Sequence, residues 1–247
     1  MTDVPEPAVL VARLAAVRGR IERAATAAGR TPGQVRLLLA TKTMPAPVVR
    51  AALEADATMR RDDASLAPVL IGENRVQELV AKGPELVDLA PATHLIGPLQ
   101  SNKVNAALRW ATCVESVESL DLARRLSDRA GDRRVDVCVQ VNVSGEPTKH
   151  GVRPESAVEL ALDVAALDGV RLTGFMTVGA NSPDEGVVRA GYALLRQVRD
   201  QVLSSGAPGT TDARELSMGM SRDLEAAVAE GATVVRVGTA VFGSRTI

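Results

Sequence analysis

The 247-residue chain is long enough for one large domain, and we expect a single domain over residues 1–247. Its 29 Lys and Arg residues balance 30 Asp and Glu residues to a net charge of −1, and it contains only two Phe, one Tyr and one Trp. This composition argues against a nucleic-acid partner and against attraction to anionic lipid. No signal-peptide pattern and no apolar run long enough for a bilayer are present, so we expect a cytoplasmic protein without a membrane partner. We also expect a monomer.

The predicted elements alternate between short apolar runs and longer amphipathic segments. After a helix near residues 7–29, eight runs have the character of parallel strands that are buried on both faces. They are residues 35–40, 69–72, 93–97, 112–116, 135–143, 171–178, 215–219 and 233–238. Eight β-then-α units predict an α/β fold, a TIM-type (β/α)8 barrel with an extra N-terminal helix. An open doubly wound sheet is the structural alternative.

The segments between the predicted strands carry helix signals. Residues 154–169 are framed by Pro and Gly, and Ser182 begins a capping box that places Pro183 at the first helical position. Ser221 is predicted to cap the helix that precedes the last strand. The charged stretch 58–68 is interpreted as a surface loop between the first barrel helix and the second strand.

Lys42 stands two residues past the first predicted strand. In TIM barrels the functional groups lie at the C-terminal ends of the strands. A lone lysine in such a place is usually a solvated charge, but an amine that is desolvated at the barrel mouth forms a Schiff base with an aldehyde. Lys42 is therefore the candidate for covalent attachment of a ligand.

The last two predicted strands carry the second group of candidates. Barrels frequently bind phosphate with the loops after strands seven and eight. Ser217 and Gly219 belong to the first of these loops, and Gly238 and Thr239 belong to the second. Either motif alone is adequately explained by Gly and Ser residues in ordinary turns, but the two together favour a phosphate-binding site. Arg236 shares a strand face with Gly238 and should also point into the barrel.

A Schiff-base lysine, a phosphate cradle and an inward arginine together predict pyridoxal 5′-phosphate as the cofactor, since its ring nitrogen is commonly partnered by Asp or Arg. Arginine stays protonated, so Arg236 should leave the ring nitrogen unprotonated and weaken the ring as an electron sink. This favours holding the cofactor over carbanion chemistry.

Several stretches resemble one family. They are LLLATKT, IGENRVQEL, HLIGPLQSNKV, VESVESLDLA, VQVNVSGEPTKHG, GFMTV and LSMGMSRDLEAAVAEGATVVRVGTAVFG. Through them the chain resembles, over nearly its whole length, the pyridoxal phosphate homeostasis proteins, single-barrel relatives of the alanine racemase N-terminal domain. The resemblance implies that Lys42 holds the cofactor as an aldimine, that SMGMS and RVGT hold its phosphate and ring nitrogen, and that Asn74 lies in the pocket. Ile71, where an aromatic residue is common, and the expanded 58–68 segment depart from the family pattern.

Some residues keep two interpretations. From its pattern alone, Asn74 is as well explained as a helix cap as by cofactor contact. Lys149 follows the fifth strand and is either part of a solvated loop or a second amine near the entrance. Cys113 and Cys138 lie in apolar runs without ligand spacing and are expected to be buried, and no metal site is expected.

The expected function is a non-catalytic carrier in pyridoxal phosphate homeostasis, with pyridoxal phosphate-dependent apoenzymes as its recipients. The alternative is a pyridoxal phosphate-dependent amino-acid racemase, which would need a second base opposite Lys42. The single tyrosine, Tyr192, falls in a predicted helix, so no second base is evident. A class I aldolase-like barrel acting on a sugar phosphate is a third interpretation, and visible colour distinguishes it because only the pyridoxal adduct absorbs visible light.

Overall fold

A computed structural model of the chain describes residues 4–243. In it, eight parallel strands follow one another around a closed barrel, and the last strand pairs with the first. The strands are β1 (Arg36–Ala40), β2 (Leu70–Glu73), β3 (Thr93–Leu95), β4 (Cys113–Val117), β5 (Val135–Gln140), β6 (Val170–Met176), β7 (Glu215–Ser217) and β8 (Val234–Val237). Each strand falls within or beside a predicted apolar run, and the predicted TIM-type (β/α)8 barrel is confirmed.

The helices lie around the barrel. They are α1 (Pro7–Ala27), α2 (Ala46–Asp62), α3 (Val76–Leu86), α4 (Val104–Leu108), α5 (Leu120–Arg129), α6 (Pro154–Ala165), α7 (Glu185–Ser204), α8 (Leu224–Ala229) and α9 (Thr239–Phe242). The extra N-terminal helix α1 packs against α2 and α8, beside the pairing of β8 with β1. Among residues 4–243, no helix combines the length and the apolar character that crossing a bilayer requires.

Two separate layers of apolar packing hold the barrel. On β1, Leu37 and Leu39 belong to the large cluster between the strands and the helices, whereas Leu38 packs inside the barrel with Leu70 and Val234. This alternation follows from the two-residue period of a strand. Each fully buried leucine contributes about 2 kcal/mol by leaving water. The outward-facing side chains of the strands therefore pack against the helices, while the inward-facing positions can hold polar side chains.

The predicted surface loop at 58–68 is wrong in its first half, because α2 continues to Asp62. One of the charged side chains there, Arg60, forms an ion pair within the helix. Arg60 Nε donates to Asp56 Oδ2 at 2.9 Å, and Arg18 also bonds to the Asp56 carboxylate. Asp56 is buried, so these charges support a helix where their density alone indicated a solvated loop.

Two predicted helix starts are also wrong. Helix α7 begins two residues later than predicted, with Asp184 as its N-cap, and the Asp184 carboxylate accepts from the N–H of Gly186 at 2.8 Å. Ser182 instead accepts from the backbone N–H of Asp184. Helix α8 begins at Leu224, so Ser221 lies outside it and does not cap it. An aspartate closer to each helix occupies the preceding position.

Candidate functional site

A cleft of about 1360 Å³ opens at the C-terminal ends of the strands. It brings together five of the seven predicted cofactor-binding residues. These are Lys42, Asn74, Arg236, Gly238 and Thr239. They come from the ends of β1, β2 and β8, which are neighbours in the closed barrel. The other two predicted residues, Ser217 and Gly219, are buried and do not line the cleft.

Lys42 is exposed at the mouth of the cleft. Within residues 4–243 its ammonium group makes no hydrogen bond or ion pair, so the expected desolvation of this amine is not found. The turn that carries it is held by its neighbour Thr43, which has a left-handed φ of 67° and donates its backbone N–H to Glu78 Oε2 at 2.8 Å. The backbone of the turn is therefore fixed while the Lys42 side chain is exposed at the cleft.

A buried ion pair lies behind this turn, between the barrel wall and α3. Lys82 Nζ donates to Glu73 Oε1 at 2.7 Å and to the carbonyl of Thr41 at 2.8 Å. The Thr41 hydroxyl donates to the same Glu73 oxygen at 2.6 Å. Burial raises the pKa of Glu73, although the bonds from Lys82 and Thr41 oppose that shift. Glu73 thus supports the Lys42 turn from outside the barrel.

Arg236 lies on β8, the strand next to β1, and is only 5% exposed. Its Nη1 donates to Ser217 Oγ at 2.8 Å, and its Nη2 donates to the carbonyl of Thr177 at 2.6 Å. Val234 on the same strand face packs inside the barrel, as predicted from the spacing of the two residues. The guanidinium therefore faces the interior and lines the cleft, with two donors fixed by the protein.

Glu115 on β4 continues this network and was not recognised from the sequence. It is 1% exposed and accepts from Ser217 Oγ at 2.6 Å, while His94 Nδ1 lies 2.6 Å from its other oxygen. Burial alone would raise the pKa of Glu115, but the hydrogen bond from His94, the charges of His94 and Arg236, and the bond from Ser217 lower it below the ordinary value. The available signal was its spacing of two residues from Cys113 on an apolar strand.

Gly219 shapes the loop after β7. Its φ is 90°, and a Cβ at this position would lie 2.4 Å from the Cβ of Ala227. The turn brings the next residues, Met220 and Ser221, to the surface of the cleft. The backbone N–H of Met220 donates to Asp223 Oδ1 at 2.5 Å, which closes the loop.

Lys149 lies on the far rim of the cleft. Its Nζ donates to Glu146 Oε1 at 2.6 Å and to the carbonyl of Gly179 at 2.9 Å. The side chain is 19% exposed. This second amine near the entrance is therefore hydrogen-bonded within the protein, in contrast to Lys42.

Tyr192 is fully buried in α7. Its hydroxyl donates to Asp223 Oδ2 at 2.7 Å, and burial, together with this bond, raises its pKa far above the ordinary value. Tyr192 is not among the residues that line the cleft. The single tyrosine is thus a packed donor rather than a base presented to a ligand.

Both cysteines are buried, as predicted, and pack with Met176 inside the barrel below the cleft. Among residues 4–243, no group of three or more His, Cys, Asp or Glu side chains is placed to hold a metal ion.

Comparison with known proteins identifies the family. The family model for the alanine racemase N-terminal domain matches residues 14–246. The pyridoxal phosphate homeostasis protein of Pseudomonas aeruginosa is 44% identical over 234 residues, which cover 94% of both chains. The protein of that name from Aquifex aeolicus is 37% identical, over 94% of this chain and 97% of its own. The chain belongs to the pyridoxal phosphate homeostasis protein family.

Solved structures show the same barrel. An unknown protein from Bifidobacterium adolescentis is 41% identical with a TM-score of 0.87, covering 98% of this chain and 97% of its own. PipY of Synechococcus elongatus, solved with pyridoxal phosphate bound, is 32% identical with a TM-score of 0.77, covering 95% of this chain and all of its own. An alanine racemase of Clostridium difficile, at 16% identity and a TM-score of 0.70, shares the fold over 96% of this chain and 57% of its own.

Proposed function

We propose that this protein binds pyridoxal 5′-phosphate in the cleft through Lys42 and serves the supply of that cofactor in the cytoplasm, as a monomer and without turnover. The observation that carries the proposal is that one cleft contains both the exposed amine of Lys42 and the fixed guanidinium of Arg236. The names of the family's members and the pyridoxal phosphate bound in PipY support it.

The residues present fit such a group. A Cβ on Gly238 would approach the carbonyl oxygen of Ala40 to 3.2 Å, so a glycine lets the end of β8 lie close against β1 beside Lys42. The exposed Thr239 follows at the start of α9. We assign the phosphate to Gly238 and Thr239, the ring nitrogen to Arg236, and a polar contact on the β2 side to Asn74.

The free amine of Lys42 performs the covalent step. Lys42 would hold the cofactor covalently, because a lysine amine condenses with an aldehyde with loss of water. When bound, the cofactor supplies this aldehyde and a pyridine ring. Arg236 donates a hydrogen bond and keeps its own proton, so it leaves the ring nitrogen without one and limits the ring as an electron sink.

The surroundings of Lys42 favour holding and exchange over turnover. Racemisation needs bases on two faces of the substrate, and Tyr192 is buried against Asp223. The mouth of the cleft is open at Lys42, so amines and water can reach the attached group. We propose pyridoxal phosphate-dependent apoenzymes as the recipients.

The test is Lys42→Ala beside Lys149→Ala, a matched loss of one cleft amine. After incubation with pyridoxal phosphate and borohydride reduction, the wild type and Lys149→Ala should gain the mass of the cofactor and show its absorption band. Lys42→Ala should gain neither and should remain folded. A normal band in Lys42→Ala, with the mass on another lysine, would contradict the proposed attachment.

The same preparations test the absence of turnover. The loaded wild type is incubated with L-alanine and other L-amino acids, and the D-isomers are measured by chiral chromatography. We expect less than one equivalent of D-isomer per protein. Many equivalents that disappear in Lys42→Ala would make the racemase alternative correct.

A further inference from the structure

The hydroxyl of Ser217 lies between two groups with fixed roles. It is 2.6 Å from a carboxylate oxygen of Glu115 and 2.8 Å from Nη1 of Arg236. An ionised carboxylate only accepts hydrogen bonds, and a guanidinium only donates them. The Ser217 hydroxyl therefore donates its one hydrogen bond to Glu115 and accepts a hydrogen bond from Arg236. No proton is left with which Ser217 could bind a phosphate, in contrast to the role predicted for it from the sequence.

The Glu115 carboxylate, which accepts this hydrogen bond, is itself held in place. His94 Nδ1, on β3, lies 2.6 Å from the second oxygen of Glu115. Both oxygens are therefore occupied in a side chain that is 1% exposed. The network runs from β3 and β4 through the barrel interior to β7 and β8. It is a continuous path of short hydrogen bonds, and Arg236 is its end at the cleft.

The two bonds from Arg236 define the orientation of its guanidinium. Nη1 is held by Ser217, and Nη2 is held by the carbonyl of Thr177 at 2.6 Å. A planar group fixed at two nitrogens cannot rotate about its long axis. Arg236 also lines the cleft, so any bond that it makes to a ligand there comes from a guanidinium whose orientation the protein has fixed.

We propose that Ser217 and Glu115 are positioning residues, which hold Arg236 in the orientation and charge balance that the cofactor ring requires. The inference rests on the proposed function for the identity of the ring, but the geometry of Arg236 does not depend on it. The negative charge of Glu115 offsets the positive charge of Arg236 inside the barrel, and the Ser217 hydroxyl is hydrogen-bonded to both side chains. Ser217 thus acts on the ring through the arginine and not on the phosphate.

The first test needs no cofactor. Ser217→Ala is compared with Ser116→Ala, because Ser116 is also buried but its hydroxyl has no partner among the described residues. The cofactor-free proteins are treated with phenylglyoxal, and modification of Arg236 is followed by peptide mass spectrometry. Loss of a hydrogen bond to a charged group should speed this modification about tenfold in Ser217→Ala and leave it unchanged in Ser116→Ala. Equal rates in the two variants would overturn the inference.

The second test uses pyridoxal phosphate. In Ser217→Ala the dissociation constant should rise about tenfold, and the absorption band should change its wavelength and its pH dependence, because a loosened Arg236 no longer fixes the ring nitrogen. Glu115→Gln keeps the shape of the side chain and should move the band in the same direction, which covers the case in which Ser217→Ala does not fold. A normal band and affinity in both variants would refute the positioning role. A wild type that binds no pyridoxal phosphate would refute the proposed function alone.

Discussion

Glu73 and Glu115 are both 1% exposed, yet the protein shifts their pKa values in opposite directions. Glu73 supports the Lys42 side of the cleft from the layer between barrel and helices, and burial raises its pKa. Glu115 supports the Arg236 side from inside the barrel. Burial opposes its ionisation too, but the bonds and charges around it lower its pKa.

The difference lies in how many oxygens have partners. Both donors to Glu73, Lys82 and Thr41, reach the same oxygen, and Oε2 has no partner among the described residues. Glu115 has a donor on each oxygen and the charge of Arg236 nearby. Equal burial therefore does not predict the protonation of a carboxylate, because hydrogen bonds to the charged form decide it.

The largest expected effect comes from removing Lys82, the cation that pairs with Glu73. Lys82→Met should lower the free energy of unfolding by about 3 kcal/mol, because it leaves a buried carboxylate without its countercharge. Urea unfolding at pH 7 measures the loss. The double variant Lys82→Met with Glu73→Gln should be more stable than Lys82→Met, since the uncompensated charge is gone. If the double variant is the less stable of the two, Glu73 does not depend on Lys82 for its charge.

An intermediate effect should appear in the pH dependence of two matched amide variants, Glu115→Gln and Glu73→Gln. The pKa of Glu115 is lowered in the folded protein, so its stabilisation is present above the ordinary value of 4.5 and is lost as the pH falls through the folded pKa. The pKa of Glu73 is raised, so its contribution is present below 4.5 and is lost as the pH rises through the folded pKa.

The free energy of unfolding of both variants, measured from pH 3 to pH 8 beside the wild type, should therefore show opposite trends. The deficit of Glu115→Gln should be largest at neutral pH and shrink in acid. The deficit of Glu73→Gln should be largest in acid and shrink towards neutral pH. Parallel trends in the two variants would remove the distinction between the carboxylates.

The smallest expected effect concerns one donor to Glu73. Thr41→Val keeps the shape of a fully buried side chain but removes its bond to Glu73, and we expect a loss of about 1 kcal/mol in urea unfolding at pH 7. Thr58→Val is the matched control, because the Thr58 hydroxyl is exposed and bonds within α2. A cost for Thr41→Val no larger than for Thr58→Val would mean that this bond does not contribute to the charged state of Glu73.

The barrel was predictable because each strand is a short apolar run buried on both sides, a pattern that leaves few other folds. The starts of the helices were less accessible. Ser182 and Ser221 have the right chemistry for caps, but the helices begin at Glu185 and Leu224, next to aspartates. The charges at the end of α2 indicated a loop, since a sequence does not show that Arg60 has a buried partner in Asp56.

For the site, position along a strand predicted where Lys42, Arg236 and Gly238 would lie, because strand ends and strand faces follow from spacing. Position did not predict what these side chains would bond to. Ser217 looked like a phosphate ligand from its loop, whereas its hydroxyl bonds to Glu115 on β4 and to Arg236 on the neighbouring β8. Glu115 could not be predicted as a site residue, since a carboxylate in an apolar run has no local motif that marks it as buried and hydrogen-bonded.

The pairing of β8 with β1 has a consequence for how the chain folds. Leu38 pairs there with Arg236, so the strand that leads to Lys42 and the strand that carries Arg236 lie side by side where the last strand joins the first. During synthesis β1 emerges early, whereas β8, which completes the barrel, emerges near the end. Contacts between segments so distant in sequence form slowly. Lys42 and Arg236 are therefore brought together only when the barrel closes, so the proposed binding of pyridoxal phosphate by both residues would require a closed barrel.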